Sequence, residues 1–302
     1  MSEQLLKIGM IGLDTSHVVA FTELLNSADH EHHVSGGKVI VAYPGGSADF
    51  ELSYGRVEQF TTALKEKHNI TIVDTIEEVA TMSDALLLES VDGRVHLEQF
   101  QQIASYGKPV FIDKPLTTSY ADAEAIYQLA KQHNAPVMSC SSLRYAGTFQ
   151  EALADEQKGA IYGADCYGPL ALQPTQPGLF WYGVHTAEML FAALGAGCEE
   201  VRAVVEEDHE VYVGKWSGGR LGTLRGNRSG NGQFGAVVHR QAGSQLIDVQ
   251  ASKIPFYALM LQQIISFFKS GQSAIPAEET LAIIRFIEAA NKSRQTGLSV
   301  KL

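Results

Sequence analysis

Cysteine is scarce in this chain. Cys140, Cys166 and Cys198 are the three among 302 residues, and they lie far apart. With no Cys-x-x-Cys pair there is no zinc-site spacing, and so few thiols fit a reducing compartment better than a disulfide framework. Dense lysine or arginine runs are also missing. With a net charge of −11, that excludes nucleic acid and anionic membrane as expected partners. No apolar stretch reaches the length of a membrane span, and Met1-Ser2-Glu3-Gln4 does not read as a secretory signal. Repeats and low-complexity tracts are absent as well. What is left is a soluble globular chain, expected in the cytoplasm and long enough for two domains.

The first half alternates two periodicities. Residues 6–12, 39–43, 71–73, 85–88 and 110–112 are short apolar runs that read as buried strands. Helical patterns lie between them: one from about residue 16, then 60–68, 76–80 and 95–106. A capped helix with Ser119 and Asp122 at its start runs to Asn134 and Pro136, and 137–140 closes the series. This β-α order predicts an α/β fold with a doubly wound parallel sheet, a Rossmann-like domain over 1–145.

The second half reads differently. A helix over 182–194 precedes strand-like runs at 201–205, 210–215, 220–225, 234–240 and 245–251, separated by Gly, Asn and Ser. The pattern predicts a C-terminal α/β domain over 146–302 with an open, mostly antiparallel sheet. The glycine-rich 226–235 reads as hairpin turns, because strands rather than a helix follow it. Helices over 257–269 and from Pro276 to Gly297 close the chain.

Chemistry concentrates at three places. In Val110-Phe111-Ile112-Asp113-Lys114-Pro115 a buried strand delivers Lys114 to its carboxyl end, where open α/β sheets place ligands. A lysine there can donate hydrogen bonds, hold charge, or shuttle a proton if burial lowers its pKa. The plainer reading is a solvated lysine.

The second place is the loop Gly12-Leu13-Asp14-Thr15-Ser16-His17. A dinucleotide loop wants G-x-G-x-x-G, but Asp14 and His17 stand at the second and third glycine positions. Asp14, Thr15 or Ser16 is expected to cap the following helix. Thr15 and Ser16 can also donate to a phosphate, and His17 is open between phosphate contact, substrate contact and packing. No acidic residue follows the second strand at Tyr43-Pro44-Gly45-Gly46-Ser47, which leans toward NADP over NAD, with Ser47 or Arg56 as phosphate partners.

The third place is Trp181-Tyr182-Gly183-Val184-His185 with Glu188 one helical turn on. There a carboxylate can orient an acid/base histidine or raise its pKa. The pair supplies at most two metal ligands, so no metal is expected. His30, His32 and His33 read as a solvated loop.

Together these segments resemble the glucose–fructose oxidoreductase / inositol dehydrogenase / MocA family of NAD(P)-dependent oxidoreductases. The resemblance spans nearly the whole chain. Asp113-Lys114-Pro115 is similar to the family's Glu-Lys-Pro, and Leu143-Arg144-Tyr145 follows the last Rossmann strand. Gly183-Val184-His185 with Glu188 is similar to Gly-x-His-x-x-Asp, and Ala289-Ala290-Asn291-Lys292-Ser293 through Thr296-Gly297 is a typical ending.

The resemblance implies hydride transfer between NAD or NADP and a small-molecule substrate, a sugar, polyol or related hydroxy compound. By analogy Lys114 positions the substrate hydroxyl and assists proton transfer, and His185 is the acid/base or a substrate ligand. Gly12, Asp14, Thr15, Ser16, His17, Asp113 and Pro115 fall to the cofactor; Arg144, Trp181, Tyr182 and Glu188 fall to the substrate. The family's open sheet often forms oligomer interfaces, which implies a homo-oligomer, a dimer or tetramer.

Two departures stand out: the loop glycines are lost, and Trp181 occupies the position of a frequent relay aspartate. They leave room for a rival, a non-redox binding or regulatory protein on the same fold. A lyase, hydrolase or isomerase with a tightly bound cofactor is a third reading.

Overall fold

The computed structural model describes residues 5–302; residues 1–4, expected not to be a secretory signal, lie outside the described residues. The chain divides into two compact units. One comprises the residues up to Thr117, Ala121–Cys140 and Tyr257–Pro276; the other comprises Thr118–Tyr120, Ser141–Phe256 and Ala277–Leu302.

The first unit alternates as its sequence pattern requires: β1 (Leu6–Ile11), α1 (His17–Asn26), β2 (Gly37–Tyr43), α2 (Glu51–His68), β3 (Thr71–Ile72), α3 (Ile76–Met82), β4 (Ala85–Leu88), α4 (His96–Ile103), β5 (Val110–Ile112), α5 (Tyr120–His133) and β6 (Val137–Met138). The strands form one sheet in the order β3-β2-β1-β4-β5-β6, parallel throughout. β4 and β5 are wholly buried, which is why they read as unbroken apolar runs. α3 starts with a reciprocal cap between Thr75 and Glu78, satisfying backbone donors that a helix start leaves open.

Two boundaries differ from expectation. α2 begins at Glu51 rather than residue 60. Only Ser53 and Leu64 are buried along it, so its first turns carry no apolar stripe to read. The division at 145/146 becomes discontinuous, because the helix α8 (Phe256–Ser270) falls almost wholly in the first unit. The reason is packing: Ile265 lies against Gly36 and Gly37, where any added Cβ would strike it.

The second unit holds α6 (Gly147–Ala154), β7 (Ile161–Pro169), α7 (Gly183–Leu194), β8 (Cys198–Val205), β9 (His209–Trp216), β10 (Leu221–Asn227), β11 (Gly235–Arg240), β12 (Gly243–Asp248), α9 (Ala277–Thr296) and β13 (Val300–Lys301). Its sheet runs β12-β11-β7-β10-β9-β8-β13. Every pairing is antiparallel except β7 with β10.

β7 was not anticipated, and it changes the reading of its neighbours. It sits between β10 and β11, so 226–235 joins strands that do not pair and is not a hairpin. Residues 249–251 form a 3-10 turn rather than the end of a strand. α7 and α9 pack on one face of the sheet, with Phe191, Trp216 and Phe286 clustered at ring separations of 5.3–6.2 Å. The other face leaves Val204, Leu221 and Leu246 exposed.

Candidate active site

The chain turns sharply as it leaves β1. Gly12 adopts φ +87°, a left-handed conformation that glycine enters without steric cost. Its N–H bonds Tyr43 O at 3.0 Å and Leu13 N–H bonds Pro44 O at 2.7 Å, tying the β1 turn to the loop after β2. Beside this turn lies a cleft of about 310 Å³, lined by Asp14, Ser47, Asp74, Glu77, Glu98 and Gln99 among others. No lysine or arginine lines it.

Asp14 is 1% exposed. Its carboxylate accepts Ser53 Oγ at 2.5 Å and the Val91 N–H at 2.8 Å. Ser53 in turn accepts the Ser47 N–H at 2.7 Å. Asp14 therefore ties three loops together. Burial pushes its carboxyl above the ordinary range, against the lowering effect of those hydrogen bonds.

The expected helix cap is not made. Ser16 holds the N-cap position without a side-chain hydrogen bond, and Thr15 Oγ1 reaches the His17 N–H only at 3.5 Å. Asp14 has been recruited by Ser53 and Val91 instead.

At the end of β5, Lys114 is half-buried and the Lys114–Pro115 peptide is cis. Asp113 turns inward, accepting the Lys114 N–H on Oδ1 at 2.8 Å and meeting His17 Nδ1 through Oδ2 at 2.7 Å. The other ring nitrogen of His17 meets Tyr257 Oη at 3.0 Å, and Phe21 stacks on the ring at 5.3 Å. Of the three openings the sequence left for His17, the structure shows a buried, hydrogen-bonded ring.

Glu89, at the end of β4, completes the cluster at 4.0 Å from His17. Burial would raise Asp113, but His17 and Lys114 outweigh it and hold the carboxyl at about 2. Burial, then Asp113, push Glu89 well up. Burial also pushes the Lys114 ammonium down, against the pull of Asp113 and Glu89. Sequence reading passed over Glu89. Its signal was the one that exposed Asp113-Lys114, charge directly after a buried apolar strand.

The second unit carries the other expected residues. His185 is half-buried on α7, its Nδ1 2.7 Å from Ser141 Oγ, with the Tyr182 and Phe234 rings at 5.8 and 5.6 Å. Trp181 and Tyr182 pack as tilted neighbours at 6.1 Å. Glu188 does not orient His185. It accepts Arg144 Nε at 2.6 Å, while Arg144 Nη2 binds Glu279. Burial pushes Glu188 up despite Arg144. Arg144 is raised by its two carboxylates against burial. Arg144 and Glu188, both expected at substrate, are thus bound to one another in the interior. Ser141 was missed, since nothing in its spacing links it to a histidine 44 residues away.

A parallel sheet of this order, with a glycine turn after its central strand and a polar cleft beside it, is the arrangement of a Rossmann fold. Residues 6–140 match the model of the Gfo/Idh/MocA family, described as an oxidoreductase family with an NAD-binding Rossmann fold. An uncharacterized oxidoreductase of Schizosaccharomyces pombe is 29% identical over 94 residues, 31% of this chain. The match spans about a quarter of that relative's length (26%).

Among solved structures, a probable dehydrogenase from Thermotoga maritima superposes with TM-score 0.80 at 21% identity, covering 98% of each chain. The myo-inositol dehydrogenase of Lactobacillus casei, in complex with NAD(H) and myo-inositol, superposes with TM-score 0.76 at 14% identity, covering 99% of this chain and 97% of its own. At these identities the two structures share the fold.

Proposed function

We propose that the protein is an NAD-dependent oxidoreductase that moves hydride between the nicotinamide and a sugar, polyol or related hydroxy compound. The observation that carries it is Lys114 at the carboxyl edge of a parallel sheet whose first turn, at Gly12, borders a nucleoside-sized cleft.

The chain's residues fit a dinucleotide. Gly12 supplies the tight turn, Ser47, Thr75 and Gln99 offer hydrogen-bonding groups to ribose and base, and α1 presents its N-terminus. Asp14 occupies a glycine position, but its carboxylate is engaged by Ser53 and Val91 and offers almost no surface. The nicotinamide, when bound, supplies the hydride acceptor or donor.

The cleft argues for NAD. Asp74, Glu77 and Glu98 line it and no lysine or arginine is among its lining residues, so a ribose 2′-phosphate would meet like charge there, with Arg56 the cation in electrostatic reach of Asp14. This reading differs from the lean toward NADP that the loop after β2 gives in sequence. By resemblance, Lys114 holds the substrate hydroxyl and takes or returns its proton. His185, set by Ser141, serves the substrate as acid/base or ligand. The exposed Val204, Leu221 and Leu246 fit a sheet face covered by a second copy of the chain, a homo-oligomer.

The test is Lys114→Ala, assayed with NAD and a panel of polyols and sugar acids. Turnover should fall by at least ~10²-fold, the usual worth of a positioned proton-transfer group. NADH affinity should be largely kept, and circular dichroism should show the variant folded. Full activity in the variant would refute the assignment.

A further inference from the structure

We propose that His17, Glu89 and Asp113 form a binding site for one divalent transition-metal ion. The site adds to the oxidoreductase reading and does not depend on it. One imidazole nitrogen and one oxygen from each carboxylate lie within 4.8 Å of one another, and all three residues are buried. Metal–nitrogen and metal–oxygen bonds of about 2.0–2.2 Å place ligand atoms up to about 4.4 Å apart. The 2.7 Å and 4.0 Å separations of His17 Nδ1 from Asp113 and Glu89 need only small side-chain adjustments to accept an ion.

Glu89 supplies the independent observation. It is fully buried, and neither of its carboxylate oxygens has a hydrogen-bond partner. A carboxylate in that state is paired, hydrogen-bonded or metal-bound in nearly all folded proteins.

The surroundings are built like an outer shell. Tyr257 Oη holds His17 Nε2 at 3.0 Å, and Phe21 stacks on the ring at 5.3 Å, which together fix Nδ1 toward the carboxylates. The Lys114 N–H fixes Asp113 Oδ1 at 2.8 Å. Such second partners orient metal ligands and tune their basicity.

His17 and Asp113, separated by 96 positions in sequence, meet at one point in space, beside an acid that lacks a hydrogen-bond partner.

A mixed imidazole–carboxylate set suits Zn²⁺, Mn²⁺ or Fe²⁺. It is not the thiolate set of Cu⁺ or the all-oxygen set of Ca²⁺. Three protein ligands leave at least one coordination position for water or a substrate oxygen. Lys114 is the competing cation, since its ammonium interacts with both Asp113 and Glu89.

The test uses the full chain, freed of metal and titrated by calorimetry with Zn²⁺, Mn²⁺ and Co²⁺, with the visible spectrum of Co²⁺ as a second readout. One ion per chain is expected, with ligand-field bands for Co²⁺. The isosteric Glu89→Gln should weaken binding by at least ~100-fold, and Tyr257→Phe by about 10–100-fold as an outer-shell loss. Lys114→Met should tighten it. Circular dichroism confirms that each variant is folded.

No binding by the wild type would overturn the site. So would affinity unchanged in Glu89→Gln, or binding lost only on replacing His30, His32 and His33. NADH titrated into the same samples tests the dinucleotide cleft separately, so either reading can fail alone.

Discussion

Replacing Glu188 by alanine separates a structural role from a substrate role. Glu188 and Arg144 are 5% and 10% exposed at their side chains and meet at 2.6 Å. Removing one member of a buried pair leaves the other charge without compensation and costs about 3–5 kcal/mol. Glu279 still contacts Arg144, so the lower value, about 3 kcal/mol, is expected. At ~2–4 °C per kcal/mol for a domain of this size, the second unit should melt roughly 6–12 °C lower.

Removing both charges should recover much of the loss. In Arg144→Met/Glu188→Ala the Arg144–Glu188 pair is removed together and Glu279, 17% exposed, is left to water, so the coupling should exceed about 1 kcal/mol. The assay is urea unfolding of wild type, Arg144→Met, Glu188→Ala and Arg144→Met/Glu188→Ala, with steady-state kinetics on each. If Glu188→Ala is as stable as wild type but its KM rises tenfold or more, the pair belongs to the substrate and the scaffold assignment fails.

Gly12→Ala tests the first turn. The new Cβ would lie 2.5 Å from Ser90 N and 2.6 Å from its Cα, a backbone clash added to left-handed strain. About 1–2 kcal/mol for the strain and about 1–3 for overpacking predict a loss of ~2–5 kcal/mol and weaker NADH binding. A variant with wild-type stability would show that the turn is not under this constraint. Asp14 gives a pH signature. Its folded-state pKa lies above the ordinary 3.8, so the folded protein holds the proton more tightly than the unfolded chain. The stability linked to that proton is lost as pH rises through the shifted value. The stability of wild type relative to Asp14→Asn should therefore be greater at pH 4 than at pH 7; urea unfolding at both pH values that gave no change, or the reverse, would contradict the burial argument.

The first unit was largely legible because its strands are buried on both faces. Ala85-Leu86-Leu87-Leu88 and Val110-Phe111-Ile112 cannot be read as anything mobile, and each leads straight to a charged residue at the sheet edge. β7 was illegible for the opposite reason. Its inward positions are filled by Ala164, Cys166 and Gly168, kept small where Phe234 and Thr186 press on Gly168, so its hydrophobic alternation is faint. α2 was half-read because its first turns bury only Ser53.

The candidate site shows the same division. Lys114 and His185 stood out by local motif. The partners that define their surroundings did not, because pairs such as Ser141 with His185 and Asp113 with His17 are joined only by the fold, across 44 and 96 residues. For Arg144 and Glu188 local motif pointed outward to substrate, whereas desolvation at α7 favours pairing them inside.

The central claim is that the first unit still binds a dinucleotide, and NAD in preference to NADP, despite Asp14 and His17 in its loop. Calorimetric titration of the full chain with NADH and then NADPH tests it directly. The account predicts saturable binding of one NADH per chain, weakened at least tenfold for NADPH by the carboxylates of Asp74, Glu77 and Glu98. No heat of binding from either nucleotide, or tighter binding of NADPH, would contradict it.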